Sequence, residues 1–320
     1  MLRLFKRAVQ RQGRAGVAQD GDRTGLAHIE RLDDGSLSLR ARVVDSGANG
    51  DKWLDQAAAS VAAMDLARMP LSTVLRTKAY QLQLVEMPNV PTDERLAAVR
   101  WRIKDLIDYP LDEAVVEVFE MPRHANAGST PTAYAVVARS ADVLAQVELM
   151  RQAELTMDVI DIPELCMRNI AALLPQDEYG AAFLHLAEDC GHLIVTRKGV
   201  LHIIRRIDIG RRGLEEAVGE ALMLQDRIGA IALEVQRSLD YYESHYDCRP
   251  ITELVLGPGN WPDALPAALT QNLGLSVSRV ALDDLCSMEE ELSPADQGHC
   301  LLAVGAALRS ELPDQPAAAA

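Results

Sequence analysis

Residues 100–121 read RWRIKDLIDYPLDEAVVEVFEM. The stretch opens inside a helical pattern: Leu96, Val99, Ile103, Leu106 and Ile107 fall on one apolar stripe. Thr92 or Asp93 supplies a side-chain oxygen to cap the start of that helix. Tyr109-Pro110 ends it, because proline has no N–H for the ladder. From Ala114 the pattern alternates, as in a half-buried strand. Trp101 breaks the helical pattern, projecting about 170° from the stripe at 100° per residue, among Arg100, Arg102 and Lys104. An indole placed there has two readings. It contacts a partner, since Trp and Arg dominate binding hot spots, or it packs in the seam against a neighbouring domain of the same chain.

Working outward, the next segments continue a small unit. A polar loop with Gly128 and Pro131 leads to a strand at 132–138, a helix at 140–152 and a strand at 156–160. Helix, strand, strand, helix, strand over residues 87–160 suits an α+β module. Upstream, short strands at 15–18 and 25–30 flank a turn at 20–23, followed by a strand at 36–44. A helix at 51–69 stops at Pro70, and strands at 72–76 and 80–86 follow. Downstream, a short helix at 163–174 and a linker at 175–180 precede three strands, 181–187, 192–196 and 200–208. The last two are joined by a tight turn at 197–199. A helical stretch at 214–244 carries the stripe Leu224, Ile228, Ile231, Val235, Leu239 and Tyr242, and Gly229 is expected to loosen it. A strand at 251–256, a glycine turn at 257–259, a helix at 261–273 and a strand at 276–280 complete the reading. The Pro- and Ala-rich segment 312–320 is expected to be disordered.

The chain of 320 residues is long enough for two domains or one bilobal unit. Hydrophobic residues make up 48% and aromatics only 4%, so the core must be aliphatic. A net charge of −15 opposes binding to a phosphate backbone, so nucleic acid is not expected as a partner. Residues 1–14 concentrate Arg3, Lys6, Arg7, Arg11 and Arg14 between Leu2, Leu4, Phe5 and Val9. That segment reads as a tether to anionic lipid or as a solvated, frayed start. No apolar run approaches the ~18 residues of a membrane-spanning helix, and no apolar signal segment follows the basic start. A cytoplasmic chain without transmembrane insertion is expected. Cys166, Cys190, Cys248, Cys286 and Cys300 are odd in number and widely spaced, which reads as reduced thiols.

Familiar catalytic signatures are missing: there is no P-loop, GxGxxG, GxSxG or HExxH. His185, Asp189, Cys190 and His192 could form a metal set or a Cys/His pair. Side chains alternate along a strand and no further ligand has suitable spacing, so ordinary turn and edge residues are expected there, and no metal. Gly257-Pro258-Gly259 sits between a strand and a helix, where backbone N–H groups cradle phosphate, but Pro258 removes one such donor.

Residues 100–121 closely resemble the MSHA pilus biogenesis (MshI) proteins and, more loosely, the PilM proteins of type IV pilus assembly, whose counterpart carries a phrase like PFPLDE. Residues 234–246, EVQRSLDYYESHY, look like the PilM helix that contains RSLDYY. Residues 251–259, ITELVLGPG, stand where that family has I-x-x-I-x-L-x-G-G. Element order and spacing fit over nearly the whole chain. The resemblance implies an α/β, actin-like (ribonuclease H-like) bilobal fold with a small inserted α+β subdomain. Its first lobe would hold residues 15–86 and 161–178, the insertion 87–160 and the second lobe 179–311. It further implies a cytoplasmic protein, peripheral to the inner membrane. Such a protein docks the cytoplasmic tail of a bitopic inner-membrane pilus assembly protein in a groove beside the insertion, with the assembly ATPase complex as a further partner. Arg100, Trp101, Arg102, Lys104, Tyr109 and Pro110 would line that groove. The indole opposite the apolar stripe, the local basic charge and the rigid Tyr109-Pro110 turn lead us to expect the helix at 92–107 and the turn at 108–113 as one wall of it, facing the first lobe.

At the nucleotide loops the sequence departs from that family. The first PilM loop resembles G-x-D-x-G-S-x-x-x-K, and residues 16–23 read GVAQDGDR, with Ala18 for the Asp and Asp20 and Gly21 out of register. The second resembles D-x-G-x-x-x-T, and residues 185–191 read HLAEDCG, with His185 for the Asp and Ala187 for the Gly. Glu188 and Asp189 would then face a polyphosphate, a like-charge arrangement. The third loop keeps Gly257 and Gly259 around Pro258. A non-catalytic scaffold, a pseudo-ATPase without cofactor, is the expectation. The alternative is a working PilM-like ATPase holding ATP and magnesium through Asp20, Asp189 and residues 257–259. A sugar- or acetate-kinase-like enzyme on the same fold is a third reading, for which no catalytic base stands out.

Overall fold

In the computed structural model, residues 13–47, 52–67, 69–124 and 130–310 are described, so the expectations for residues 1–12 and 312–320 lie outside them. The first alternating runs form an antiparallel meander of β1 (Arg14–Asp20), β2 (Arg23–Arg31) and β3 (Leu37–Asp45). Helix α1 (Trp53–Ala63) buries Trp53, Ala57 and Val61, and β4 (Leu71–Val74) follows. Next come β5 (Tyr80–Glu86), α2 (Arg95–Ile103), β6 (Ala114–Glu120) and β7 (Thr132–Arg139). Helix α3 (Ser140–Gln152), β8 (Met157–Asp161) and α4 (Pro163–Ala171) lead to a second meander, β9 (Ala181–Leu186), β10 (Gly191–Arg197) and β11 (Val200–Ile207). The chain continues through α5 (Arg211–Glu216), α6 (Ala221–His245), β12 (Glu253–Leu256), α7 (Ala264–Leu273), β13 (Ser276–Arg279), β14 (Ser287–Met288) and α8 (Pro294–Ala307).

Two of the sheets share one topology. The first runs β3-β2-β1-β4-β8 with β14 beside β3, and the second runs β11-β10-β9-β12-β13. In each, an antiparallel meander is extended through its first strand by two parallel strands. Helices α4 and α8 lie between these sheets. The core they share takes Ala18 and Ile29 from the first, Phe183 and Ile194 from the second, and Met167, Ile170, Leu301 and Val304 from the helices. Strand alternation sends the neighbouring residues outward: Ala15 and Val17 pack under α1, and Leu184, Leu193 and Val195 pack under α6 and α7. Ser293 caps α8, its hydroxyl accepting from Asp296 N at 3.2 Å, and Pro294 occupies the first turn. The helix approaches the first sheet so closely that a Cβ at Gly16 would overlap the Ala303 carbonyl oxygen.

Several expected boundaries move. Tyr80–Glu86, expected in the first lobe, is β5 and pairs along its length with β7 in a separate β5-β7-β6 sheet. The strand expected to close the insertion is β8, which pairs with β4 in the first sheet, while Met150 of α3 joins the core around Trp53. Arg14, counted in the basic start, opens β1 and forms a two-pronged bond to Asp158, 3.0 Å on each arm. Gly229 does not interrupt α6, and the break falls between α5 and α6, where Gly219 has φ +100°.

The insertion is a sheet with one helix on its outer face. Val99 and Ile103 of α2 pack on Val116, Ala133, Ala135 and Val137. Leu82, Phe119 and Val136, on the other side of the sheet, meet Ile160, Ile162 and Leu165. Helix α2 therefore faces away from the first lobe, against the expectation that it forms a wall facing it. Trp101 is 69% exposed, which overturns the seam reading. Trp101→Ala should change the unfolding free energy by no more than about 0.5 kcal/mol, as surface substitutions do, against ~3–5 kcal/mol for a buried Trp. Urea denaturation of the variant checks this.

Candidate functional site in the cleft between the lobes

The β1–β2 and β9–β10 turns face each other across the two sheets, and they touch. Gly21 adopts φ +63°, a left-handed geometry suited to the two-residue turn Gly21-Asp22. Its lack of a side chain admits the Glu188 carboxylate, which a Cβ would overlap. The backbone N–H of Glu188 donates to Asp20 Oδ1 at 2.8 Å. Arg211, at the start of α5, donates to Asp20 Oδ2 at 2.7 Å, and His299 Nδ1 of α8 lies 3.1 Å from the same oxygen. The N–H groups of Arg211 and Arg212 donate to the carbonyls of Ala187 at 2.9 Å and Glu188 at 3.1 Å, pinning the second turn to α5. Arg212 also pairs with Glu188 and, at 3.0 Å, with Asp189.

These contacts set the protonation states. Burial alone would raise the Asp20 carboxyl, which is only 8% exposed. The His299 bond, the Arg211 charge and the Glu188 N–H outweigh burial and hold the carboxyl well below the usual carboxylate range. For His185, burial wins over the attraction of Asp20, while Arg211, His192 and His299 add to it, so its pKa falls to about 3. His185 is therefore neutral at pH 7, with neither ring nitrogen in a hydrogen bond among the described residues. Its folded pKa lies below the unfolded ~6.5. Its contribution is therefore complete above pH 6.5 and is lost as pH falls from 6.5 toward 3. His185→Leu should flatten the acid limb of unfolding free energy against pH by up to ~1.4 kcal/mol per pH unit in that window. Urea melts at several pH values measure it.

Two cavities flank this staple. The larger, of about 400 Å³, is lined by Asp20, Thr77, Lys78, Cys190, His192 and Arg206 among others. A smaller one of about 230 Å³ is lined by Arg23, Glu188, Arg211, Arg212, Asn260 and His299 among others. No group of three or more His, Cys, Asp or Glu among the described residues is placed to hold a metal ion. No helix among them is long and apolar enough to cross a membrane.

No protein-family model and no curated protein matches the chain. A solved structure described as a PilM-PilN type IV pilus biogenesis complex is similar to it, with a TM-score of 0.74 at 19% identity over 95% of this chain and 100% of that one. The fold is actin-like. The cytoplasmic domain of EpsL, an inner membrane component of the type II secretion system of Vibrio cholerae, gives a TM-score of 0.49 at 10% identity, covering 92% of this chain and 95% of that one. A Bacteroides thetaiotaomicron protein of actin-like ATPase fold and unknown function gives 0.47 at 10% identity, covering 91% and 95%.

Within this actin-like frame the residues named from the sequence have separate places. Ala18 is a core residue, Asp20 and Gly21 meet the second turn, and His185 is buried beside Asp20. Ala187 lines the larger cavity, and Asp189 pairs with Arg212 and, at 3.5 Å, with Lys78. Gly257 N donates to Leu184 O at 2.8 Å, and Pro258 and Gly259 pack on Gly298 of α8. On the insertion, Arg100 donates to Leu111 O and Ala114 O, and Arg102 to Glu86 O, so both arginines brace the backbone. Lys104 lies over the Trp101 ring at 5.7 Å, the Arg139 guanidinium covers Tyr109 at 3.9 Å, and Pro110 O accepts from Glu113 N. The sequence reading missed Arg211 and His299, the two side chains that close on Asp20. The serine-proline start of α8 could have signalled the second.

Proposed function

We propose that this chain is a non-catalytic cytosolic scaffold of a type IV pilus assembly machine of the MSHA type. It sits peripheral to the inner membrane, docked to the cytoplasmic tail of a bitopic membrane partner. The observation that carries the non-catalytic reading is the staple across the cleft. Both oxygens of Asp20 are engaged, by Glu188 N and by Arg211 and His299. The Glu188 carboxylate fills the space beside Gly21, where a polyphosphate would have to enter. A polyphosphate would meet Glu188 and Asp189 at close range, and a magnesium ion would have to strip Asp20 from a buried arginine. Likeness to a PilM-PilN complex supports the choice of machine and of a membrane-protein partner.

Thermal unfolding with and without Mg-ATP tests the cleft. No stabilisation is expected, and a gain near 2.7 kcal/mol, as ligand at ~100 times Kd gives, would establish the ATP- and magnesium-binding alternative. For the partner, the proposed surface is Trp101 with Lys104, shaped by Arg100, Arg102, Tyr109 and Pro110. Capture of the purified chain by cytoplasmic peptides of inner-membrane pilus components is the direct assay. Trp101→Ala should weaken that capture by ~2 kcal/mol or more, and unchanged affinity would remove Trp101 from the surface.

A further inference from the structure

The floor of the larger cavity holds a row of side chains that a scaffold does not use. His192, on β10, lies between Cys190 and Glu164, with Nε2 3.4 Å from Cys190 Sγ and Nδ1 3.6 Å from Glu164 Oε1. The other Glu164 oxygen accepts from the Tyr80 hydroxyl at 2.7 Å, and Thr77 Oγ1 lies 3.4 Å from His192 Nε2. All three members of the row are buried, and both Cys190 and His192 line the cavity. We propose that Cys190 is a reactive thiolate, oxidised by small hydroperoxides, with His192 as its proton partner and Glu164 as the positioning residue.

The geometry is that of an activated nucleophile: a thiol beside an imidazole, with a buried carboxylate 3.6 Å beyond the other ring nitrogen. The charged groups around the cavity come from several elements. Arg206 is on β11, Arg76 and Lys78 precede β5, Asp142 is on α3, and Asp189 and Asp20 are at the two turns. Burial alone would raise the Cys190 thiol and lower the His192 imidazole. Contact with His192 and the Arg206 charge outweigh burial and lower the thiol, while contact with Cys190 and the Glu164 carboxylate outweigh it at His192 and raise the imidazole to about 10. Burial pushes Cys166 well above the ordinary thiol value, Cys286 up to about 11 and Cys300 up to about 12.

The step balances within these groups. The Cys190 thiolate attacks one peroxide oxygen, an S–O bond forms and the O–O bond breaks. The leaving hydroxide of hydrogen peroxide, or the alkoxide of an organic hydroperoxide, takes the proton of the His192 imidazolium and departs as water or alcohol. Sulfur loses two electrons, the peroxide gains them, and Cys190 is left as sulfenic acid, which a thiol can reduce. This assignment does not depend on the pilus reading.

The test is iodoacetamide labelling of the native protein from pH 5.5 to 8.5, with each cysteine quantified by mass spectrometry. Cys190 should label at least tenfold faster than Cys166, Cys286 and Cys300 at pH 6.5. Its rate should level off within this range, whereas an ordinary thiol gains about tenfold per unit below its pKa. His192→Gln should restore the steep profile, and the wild-type profile decides the matter even where that variant fails to fold. Treatment with hydrogen peroxide and dimedone should place an adduct on Cys190. A Cys190 rate that climbs tenfold per pH unit, or one no faster than that of Cys300, overturns the thiolate. A missing dimedone adduct overturns the hydroperoxide step.

Discussion

Asp20→Ala should lower the unfolding free energy by about 3–5 kcal/mol in urea denaturation at pH 7, the range for removing one partner of a buried ion pair. The Arg211 guanidinium left behind is almost fully buried, and its Nη1 has no hydrogen-bond partner among the described residues even in the wild type. Glu188 N–H and His299 lose their acceptor in the same stroke. Adding Arg211→Met removes the stranded charge, so the double variant should be less destabilised than the sum of the single changes. The pH dependence has a fixed sign. The folded Asp20 carboxyl lies below its ordinary 3.8, so its contribution is present above that value and lost as pH falls below it. The gap between wild type and Asp20→Ala should therefore narrow below about pH 4. A loss under 1 kcal/mol at pH 7 would show that the staple does not hold the turns together.

Two glycine-to-alanine changes should have opposite signs. At Gly16 the added Cβ overlaps the Ala303 carbonyl oxygen and crowds Ala307 N, which is helix backbone with no rotamer to change. Moving α8 off β1 disturbs the core shared by both sheets, so Gly16→Ala should cost about 3 kcal/mol or more. At Gly229, inside α6, a Cβ meets nothing within 4 Å. Gly229→Ala should stabilise by about 0.5–1 kcal/mol, because alanine loses less backbone entropy in a helix interior. Denaturant midpoints of the two variants, compared in one experiment, check both signs.

Both meanders were legible because alternation is local: Ala15 and Val17 part from Ala18 within one strand. The sheet to which β5 and β8 belong was not, since a strand's own residues do not name its partner. Helix α8 also escaped notice. Cys300, Leu301, Leu302, Ala303 and Val304 are all buried, so a helix apolar on every side shows no stripe. With α8 unread, His299 could not be placed. Asp20 was singled out as a residue of a phosphate loop, but its partners Arg211 and His299 lie 191 and 279 positions away, beyond any spacing rule. Cys190 and His192 were visible as a pair because they lie two positions apart, whereas Glu164, on helix α4, was not.

The position of α8 also bears on how the chain is made. The first meander turns Ala18, Ala27 and Ile29 toward a helix that the ribosome delivers last among these elements. His299 emerges 279 residues after Asp20, which at ~5–20 residues per second is a wait of about 15–60 s. Throughout that interval the nascent first lobe shows one bare apolar face, and hydrophobic surface exposed in this way invites aggregation. A chain stalled near residue 290 would hold both meanders with their shared core still open, making it a natural client for a chaperone at the ribosome exit.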